Sequence, residues 1–491
     1  MSAFRPVPLG EVLPSFPHGT VVSLPTMADV IAYERHDPTL LAQIRAGYPR
    51  FVLNAVVASA RDRAAVRAGL DPTRSFALAS SAAAARVIDL VRPASPRIAD
   101  AGGWSLLEVA TDSTERVAAM VRHAGLRLTS RAAETWLASG TLTRPSAEVG
   151  PDLASQLLPW IAPCGAEDVR VTHSGMNAMA AAIDAVRAIQ RPQGRVVWLQ
   201  LGWLYVDTAE YLRKTLGPGE TLEVLTDVAD FAGIERFLAR YRGRVAGIVT
   251  EIPTNPRLAS ADVVALAAAA RREGALTLLD PSSSGLVNVD LVPWADLLVA
   301  SLTKYSGHRG DLMAGLLAIP PSGPRASELR AAAFPLVEPL GVGDRQALAE
   351  QLPSMPAVAD IQNRNARRLA DFLERHPAVA RVLTADRGTT AAAYARVARG
   401  PGRPGALITF ELKGDLARFY DRVSLPKGPS FGLDFTVLAP FLWLSHFEMV
   451  TTEQGRAELR AADLNPDLVR VSVGTEDIAA LEAAFSAALA D

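Results

Sequence analysis

Short apolar runs alternate with helix-period segments from about residue 165 to 301. Strand-like runs fall at 168–172, 195–199, 221–225, 245–251, 276–280 and 297–301. Segments of helical period lie between them, at 177–189 and 261–272 among others. Short apolar strands alternating with amphipathic helices predict a mostly parallel sheet covered on both faces. Before this region the pattern differs. Residues 1–60 are proline-rich and read as an extended arm with short helices. Residues 61–150 are rich in alanine and arginine, as in Ser80-Ser-Ala-Ala-Ala-Ala-Arg-Val-Ile-Asp-Leu-Val91, and read as mostly helical. A long helical pattern at 360–374 leads into a C-terminal α+β region that ends in a helix at 479–490. The expected organisation is an arm at 1–60, a large α/β domain at 61–345 with a helical insertion at about 61–150, and a small α+β domain at 346–491.

Composition narrows the class. The chain has 491 residues, 49% hydrophobic and 21% charged, with a formal net charge of −2. That balance fits a compact enzyme and gives no basic surplus for nucleic acid. No apolar run reaches membrane-spanning length, and the N-terminus lacks a signal-peptide core, so a cytoplasmic protein is expected. Cys164 is the single cysteine, and the seven histidines show no metal spacing, so no metal site is assigned.

Lysine usage carries more information. Only four of the 50 basic residues are lysines: Lys214, Lys304, Lys413 and Lys427. Lys304 follows the apolar run in Asp296-Leu-Leu-Val-Ala-Ser301-Leu-Thr303-Lys304-Tyr-Ser-Gly-His. A lysine amine can shed its proton and form an imine; a guanidinium can do neither. A lysine at the end of a buried strand, behind small hydroxyl residues, is where a Schiff-base lysine for pyridoxal phosphate belongs. A surface lysine in a turn is the plainer alternative, and the neighbouring motifs decide between them.

Thr172-His-Ser174-Gly175-Met176-Asn follows a strand and opens a helix, which seats an anion on backbone amides. Asp280 ends a strand of leucines, where a carboxylate is costly without a cation such as a protonated pyridine. Glu251-Ile-Pro-Thr-Asn255-Pro256 follows another strand, and Asn255 could donate to a ring oxygen. Tyr205 could stack on the ring, with Trp203 and Tyr211 as competitors. Ser301 and Thr303 could bind the phosphate. His173 and His308 are expected to be structural.

The order Ser-Gly-Met, Tyr, Glu-x-Pro-x-Asn-Pro, strand-Asp and Ser-x-Thr-Lys-Tyr resembles the cysteine and methionine metabolism family of pyridoxal-phosphate enzymes. Arg470-Val-Ser-Val-Gly-Thr-Glu-Asp resembles that family's carboxylate-gripping segment, and Ser430-Phe-Gly-Leu-Asp-Phe-Thr its substrate loop. Pro17-His-Gly-Thr-Val-Val-Ser-Leu-Pro-Thr, Gly47-Tyr-Pro-Arg-Phe and Thr129-Ser-Arg-Ala-Ala-Glu134 are similar to the long-armed, fungal-type cystathionine γ-synthases. The resemblance implies the aspartate-aminotransferase fold (fold type I). It also implies pyridoxal 5′-phosphate, small amino-acid substrates, and a homodimer or homotetramer with shared active sites. Tyr48 and Arg50 match the Tyr-x-Arg that reaches the neighbouring subunit's cofactor phosphate. The implied reaction is γ-replacement on an O-acetyl- or O-succinyl-L-homoserine through a vinylglycine-like intermediate. Lys304 would move the protons, Tyr205 would assist, and Arg470 and Ser430 would bind substrate. A γ- or β-lyase, substitution by a carbon or nitrogen nucleophile, and a non-catalytic relative are the alternatives. The departures from the family pattern, Leu302, Ala55 after Asn54, and Phe431, Leu433 and Asp434, cluster mainly in the substrate loop.

Overall fold

The computed structural model describes residues 7–45 and 52–490. The arm contributes a short antiparallel pair, β1 (Val12–Leu13) and β2 (Val21–Val22), and the helices Met27–Glu34 and Pro38–Leu41. A further helix, Ala55–Ala68, already starts inside the stretch expected to be arm. The arm does not stand off from the rest. Val22, Leu24, Val30 and Tyr33 are buried in one core with Phe410, Phe419 and Phe485 from the C-terminal region.

The region 61–150 corrects the helical expectation. Helices are present at Ser81–Val91, Thr114–His123 and Ser130–Ser139. Beside them lies an antiparallel three-stranded sheet of β3 (Ser75–Leu78), β4 (Arg97–Asp100) and β5 (Ser105–Glu108), in the order β3-β5-β4. Alanine-rich flanks mask these four-residue strands, whose pairing rather than local propensity makes them strands.

The central sheet has seven strands: β6 (Val169–Thr172), β7 (Val197–Leu201), β8 (Thr221–Leu225), β9 (Val245–Glu251), β10 (Leu276–Asp280), β11 (Leu297–Ser301) and β12 (Gly315–Ala318). Their spatial order is β6-β12-β11-β10-β9-β7-β8. The contacts among β7 to β11 are parallel, while β12 runs antiparallel to both its neighbours. All seven residues of β9 and all five of β10 are buried, as expected for strands covered on both faces. The C-terminal sheet is antiparallel: β13 (Val379–Leu383), β14 (Leu407–Leu412), β15 (Val437–Ala439) and β16 (Val469–Ser472), ordered β13-β14-β16-β15. The helix Met355–Arg375 leads into it. Among the described residues, no helix is long and apolar enough to cross a membrane.

Candidate functional site

The carboxyl ends of the parallel strands open onto one cavity. Ser174, Gly175, Met176, Tyr205, Asn255, Asp280, Ser301, Thr303, Lys304, Ser430 and Arg470 all line it. These residues come from seven separate stretches of sequence. Tyr48 and Arg50 lie outside the described residues.

Lys304 is buried, with 6% of its surface exposed, and its Nζ donates to Ser430 Oγ at 2.9 Å. Burial, followed by the nearby Arg470 charge, pulls its amine down to about 7. A large share of such an amine is neutral and nucleophilic near neutral pH. The turn that carries it is bolted in place. Tyr305 has φ 55°, in the left-handed region. Its hydroxyl donates to the Ser283 carbonyl at 2.8 Å and accepts from Ala406 N–H at 3.0 Å, which ties the lysine turn to the C-terminal region. Ser430 has φ 146°, a region that glycine normally occupies, so the partner of Lys304 is held in a strained backbone.

Arg470, on β16, is 4% exposed. It donates to the Ser430 carbonyl at 2.9 Å and reaches Asn255 Oδ1 at 3.5 Å, while its Nε has no partner. The rings of Phe431 and Phe441 lie 5.2 and 4.6 Å from its guanidinium carbon. Burial holds its guanidinium down to about 9. A dry guanidinium between aromatic walls, with its Nε left without a partner, suits a carboxylate.

Asp280 and Glu251 end adjacent strands in register, Asp280 opposite Glu251. Asp280 accepts from Ser282 N–H at 2.7 Å, and Glu251 accepts from Tyr205 N–H. Burial raises the Asp280 carboxyl to about 6; burial and then Asp280 raise that of Glu251. Among the described residues neither carboxyl has an ion pair. Two buried carboxyls without a cation are costly, and a protonated pyridine nitrogen would answer them. The residues present therefore fit pyridoxal phosphate. Glu251 was named in the sequence only as part of a motif; its pairing with Asp280 depends on strand register.

At the other end, the helix Gly175–Gln190 points its N-terminus at the cavity. Ser174 is the N-cap: its Oγ accepts from Asn177 N–H at 3.1 Å and donates to the Gly125 carbonyl at 3.0 Å. Its hydroxyl is thus committed to the cap, and the anion-facing groups are the amides that follow. The Thr303 hydroxyl is also engaged, accepting from Ala314 N–H at 3.0 Å. The Ser301 hydroxyl has no hydrogen bond among the described residues. A Cβ on Gly175 would stand 2.9 Å from Ser301 Cβ, so only glycine lets the helix approach the strand end this closely. His173 is buried, bonds the Gly125 carbonyl and lines the cavity, while His308 sits between Ser354 and Asp434. Tyr211 is fully buried against Asp184 and Arg86, away from the cavity, whereas Tyr205 lines it. Phe441, Leu444, Ser445 and His446 complete the wall near Arg470. The sequence carries no local signal for them, because they reach the site only through the C-terminal fold.

The profile of the Cys/Met metabolism PLP-dependent enzymes matches residues 162–490. The L-2-amino-4-chloropent-4-enoate dechlorinase/desaturase of Streptantibioticus cattleyicolor is 36% identical, over 96% of this chain and 95% of that protein. A cystathionine γ-synthase-like protein of Aspergillus thermomutatus is 27% identical over 98% and 94% of the two chains. The cystathionine γ-synthase of Neurospora crassa is 30% identical over 66% of this chain and 52% of its own length. Among solved structures, the cystathionine γ-synthase of Xanthomonas oryzae pv. oryzae superposes with a TM-score of 0.58. It is 22% identical, covering 72% of this chain and 94% of that one, and shows the shared type I fold. On the extent of these matches, the chain belongs to the Cys/Met metabolism family of pyridoxal-phosphate-dependent enzymes.

Proposed function

We propose that the chain acts on a small L-α-amino acid bearing a leaving group at Cγ, and that it expels this group by proton transfers through Lys304. The observation that carries the reading is the single cavity that holds the buried Lys304 amine, Arg470 with its unpartnered Nε and the Asp280–Glu251 pair. In this reading Arg470 grips the α-carboxylate and Asp280 holds the pyridine nitrogen. Asn255 donates to the ring oxygen, Tyr205 stacks on the ring, and the amides of Gly175 and Met176 with the Ser301 hydroxyl seat the phosphate, while the Thr303 hydroxyl, committed to Ala314, holds the lysine turn. Bound pyridoxal phosphate supplies the electron sink for carbanions at Cα and Cβ. Lys304 Nζ, released when substrate binds, takes the Cα proton and then a Cβ proton, the leaving group departs from Cγ with its electron pair, and one proton is returned to Cα, so that the net loss is HX.

We favour desaturation as the outcome, with net loss of the acid HX across Cβ and Cγ. The S. cattleyicolor relative, aligned almost end to end, has a name that describes such chemistry. The wall beside Arg470 is built largely from Phe431, Phe441 and Leu444. An incoming amino acid such as cysteine would bring a second carboxylate and ammonium, which a mostly apolar wall serves poorly. Replacement on an O-acylhomoserine remains the second reading, supported by the cystathionine γ-synthase relatives. Purified holoenzyme is to be offered L-2-amino-4-chloropent-4-enoate, O-acetyl- and O-succinyl-L-homoserine, each with and without cysteine. Chloride release with an unsaturated amino acid in the mass spectrum is the expected result. Cystathionine formation without chloride release would instead establish replacement. No spectral change with any of the three would sink the γ-leaving-group class.

A further inference from the structure

Arg127 is a guanidinium at the helix end of the cavity that no role assigned above uses. Its segment lies against the first turn of the helix Gly175–Gln190. A Cβ on Gly125 would stand 2.3 Å from Ser174 Oγ and 2.7 Å from the Asn177 nitrogen. The backbone on either side is pinned to the three-stranded sheet region. Ala79 N–H donates to Leu126 O at 3.0 Å, and Leu128 N–H donates to Ala77 O at 3.0 Å. Arg127 has little freedom to leave. It lines the main cavity together with Gly175, Thr303 and Met313. With Met313 and Asn54 it also lines a smaller cavity next door.

What surrounds Arg127 makes it an anion seeker. Among the described residues it has no hydrogen bond and no ion pair. Withdrawal from water, then the like charges of Arg122 and Arg61, hold its guanidinium down to about 10. The carboxylate that acts on it is Asp207, and Asp207 already accepts from Arg122 Nε at 3.2 Å and from His123 Nδ1 at 2.8 Å. Arg127 is half-buried, and a partly desolvated guanidinium without a paired anion costs stability that a bound anion would recover. The same cavity holds a built anion seat, the amide pair at Gly175 and Met176, whose helix dipole also favours negative charge.

We infer that Arg127 is this chain's own cation for the cofactor phosphate, meeting the anion seated on the Gly175 and Met176 amides. The inference rests on the cofactor placement proposed above. It assigns part of phosphate recognition to the region 61–150, whose contribution to the site was not legible in sequence. Arginine is the apt residue, since its planar fork can meet two phosphate oxygens at once.

The test separates phosphate from ring. Cofactor-free wild type, Arg127→Gln and Arg127→Lys are titrated with pyridoxal phosphate and with pyridoxal, and absorbance and melting temperature are followed. Arg127→Gln is expected to weaken pyridoxal phosphate binding about 10- to 100-fold, as for loss of one charge-assisted bond, and to leave pyridoxal binding unchanged. Arg127→Lys should fall between. Inorganic phosphate alone should raise the melting temperature of cofactor-free wild type and not that of Arg127→Gln. Equal losses for both ligands would overturn the inference. So would full pyridoxal phosphate affinity with a raised substrate KM, which would mark Arg127 as a substrate residue. Should Arg127→Gln fail to fold, the absence of phosphate stabilisation in the wild type would overturn it as well. If the wild type binds neither pyridoxal compound, or binds both equally well, the cofactor placement itself fails, and that outcome is distinct from the others.

Discussion

Two of the four lysines are equally buried, and their surroundings set them apart. Lys304 and Lys427 are each 6% exposed. Lys427 donates to the Pro25 carbonyl at 2.7 Å, and Asp421 and Asp29 offset part of its desolvation, which leaves it near 8. Lys304 instead faces Ser430 and the positive Arg470 and falls to about 7. Lys427 fastens the N-terminal segment at Pro25 to the C-terminal region, while Lys304 faces the cavity. The consequence for stability has a definite sign. Below pH 7 Lys304 is protonated in both folded and unfolded states, and the burial penalty is complete. Between about 7 and 10.5 the unfolded chain binds the extra proton, so stability rises with pH. Cofactor-free Lys304→Met should therefore melt above the wild type at pH 6, and the gap should close as pH climbs through this window. Melting curves from pH 6 to 10 check this; a gap that widens with pH would contradict it.

At the scale of elements, the helix Gly175–Gln190 and strand β11 meet at one tight point. Gly175→Ala would place a methyl 2.9 Å from Ser301 Cβ and 3.1 Å from its Cα. Alanine is the better helix former by about 1 kcal/mol. Ser301 cannot yield, because its strand pairs with β12 and its N–H is held by Ser282 Oγ at 2.8 Å. Overpacking, on the order of 1–3 kcal/mol, should win. We expect Gly175→Ala to lower the melting temperature and to release pyridoxal phosphate faster, because the displaced amides are those proposed to hold it. A variant with unchanged cofactor release would argue that the phosphate lies elsewhere.

For the whole molecule, the proposal is that one chain alone does not complete the site. Tyr48 and Arg50 are proposed to reach the cofactor phosphate of a neighbouring subunit. If they do, Arg50→Ala and Lys304→Ala are each inactive alone, and hybrid dimers recover activity. Roughly a quarter of wild-type activity is expected on random exchange, since half of the dimers are hybrids with one intact site each. Activity of subunit-exchanged mixtures is the measurement. No recovery would place Arg50 in its own chain's site and would leave Arg127 sharing the phosphate with it.

The periodicity of the chain by itself determined the central architecture and the chemistry-bearing strand ends. The six strands read from sequence are all present; the central ones, β9 and β10 among them, are buried on both faces and leave contiguous apolar runs that need no knowledge of their partners, while the edge strand β8 is partly exposed and reads as a mixed run. Asp280, Asn255, Lys304 and Ser174 follow such runs, so their place at the carboxyl ends of the sheet was legible with them. What lacks a local signature was not. Strand β12 is four apolar residues whose antiparallel pairing is set by β6 and β11. The sheet at 75–108 hides in alanine-rich sequence, since its strands exist through their cross-strand partners. The Asp280–Glu251 pair depends on register, the aromatic wall around Arg470 on the docking of the C-terminal sheet, and Arg127 on a loop laid against a helix 50 residues away in sequence. Tertiary structure decided these because charge pairing and desolvation depend on distance in space, which local patterns do not encode.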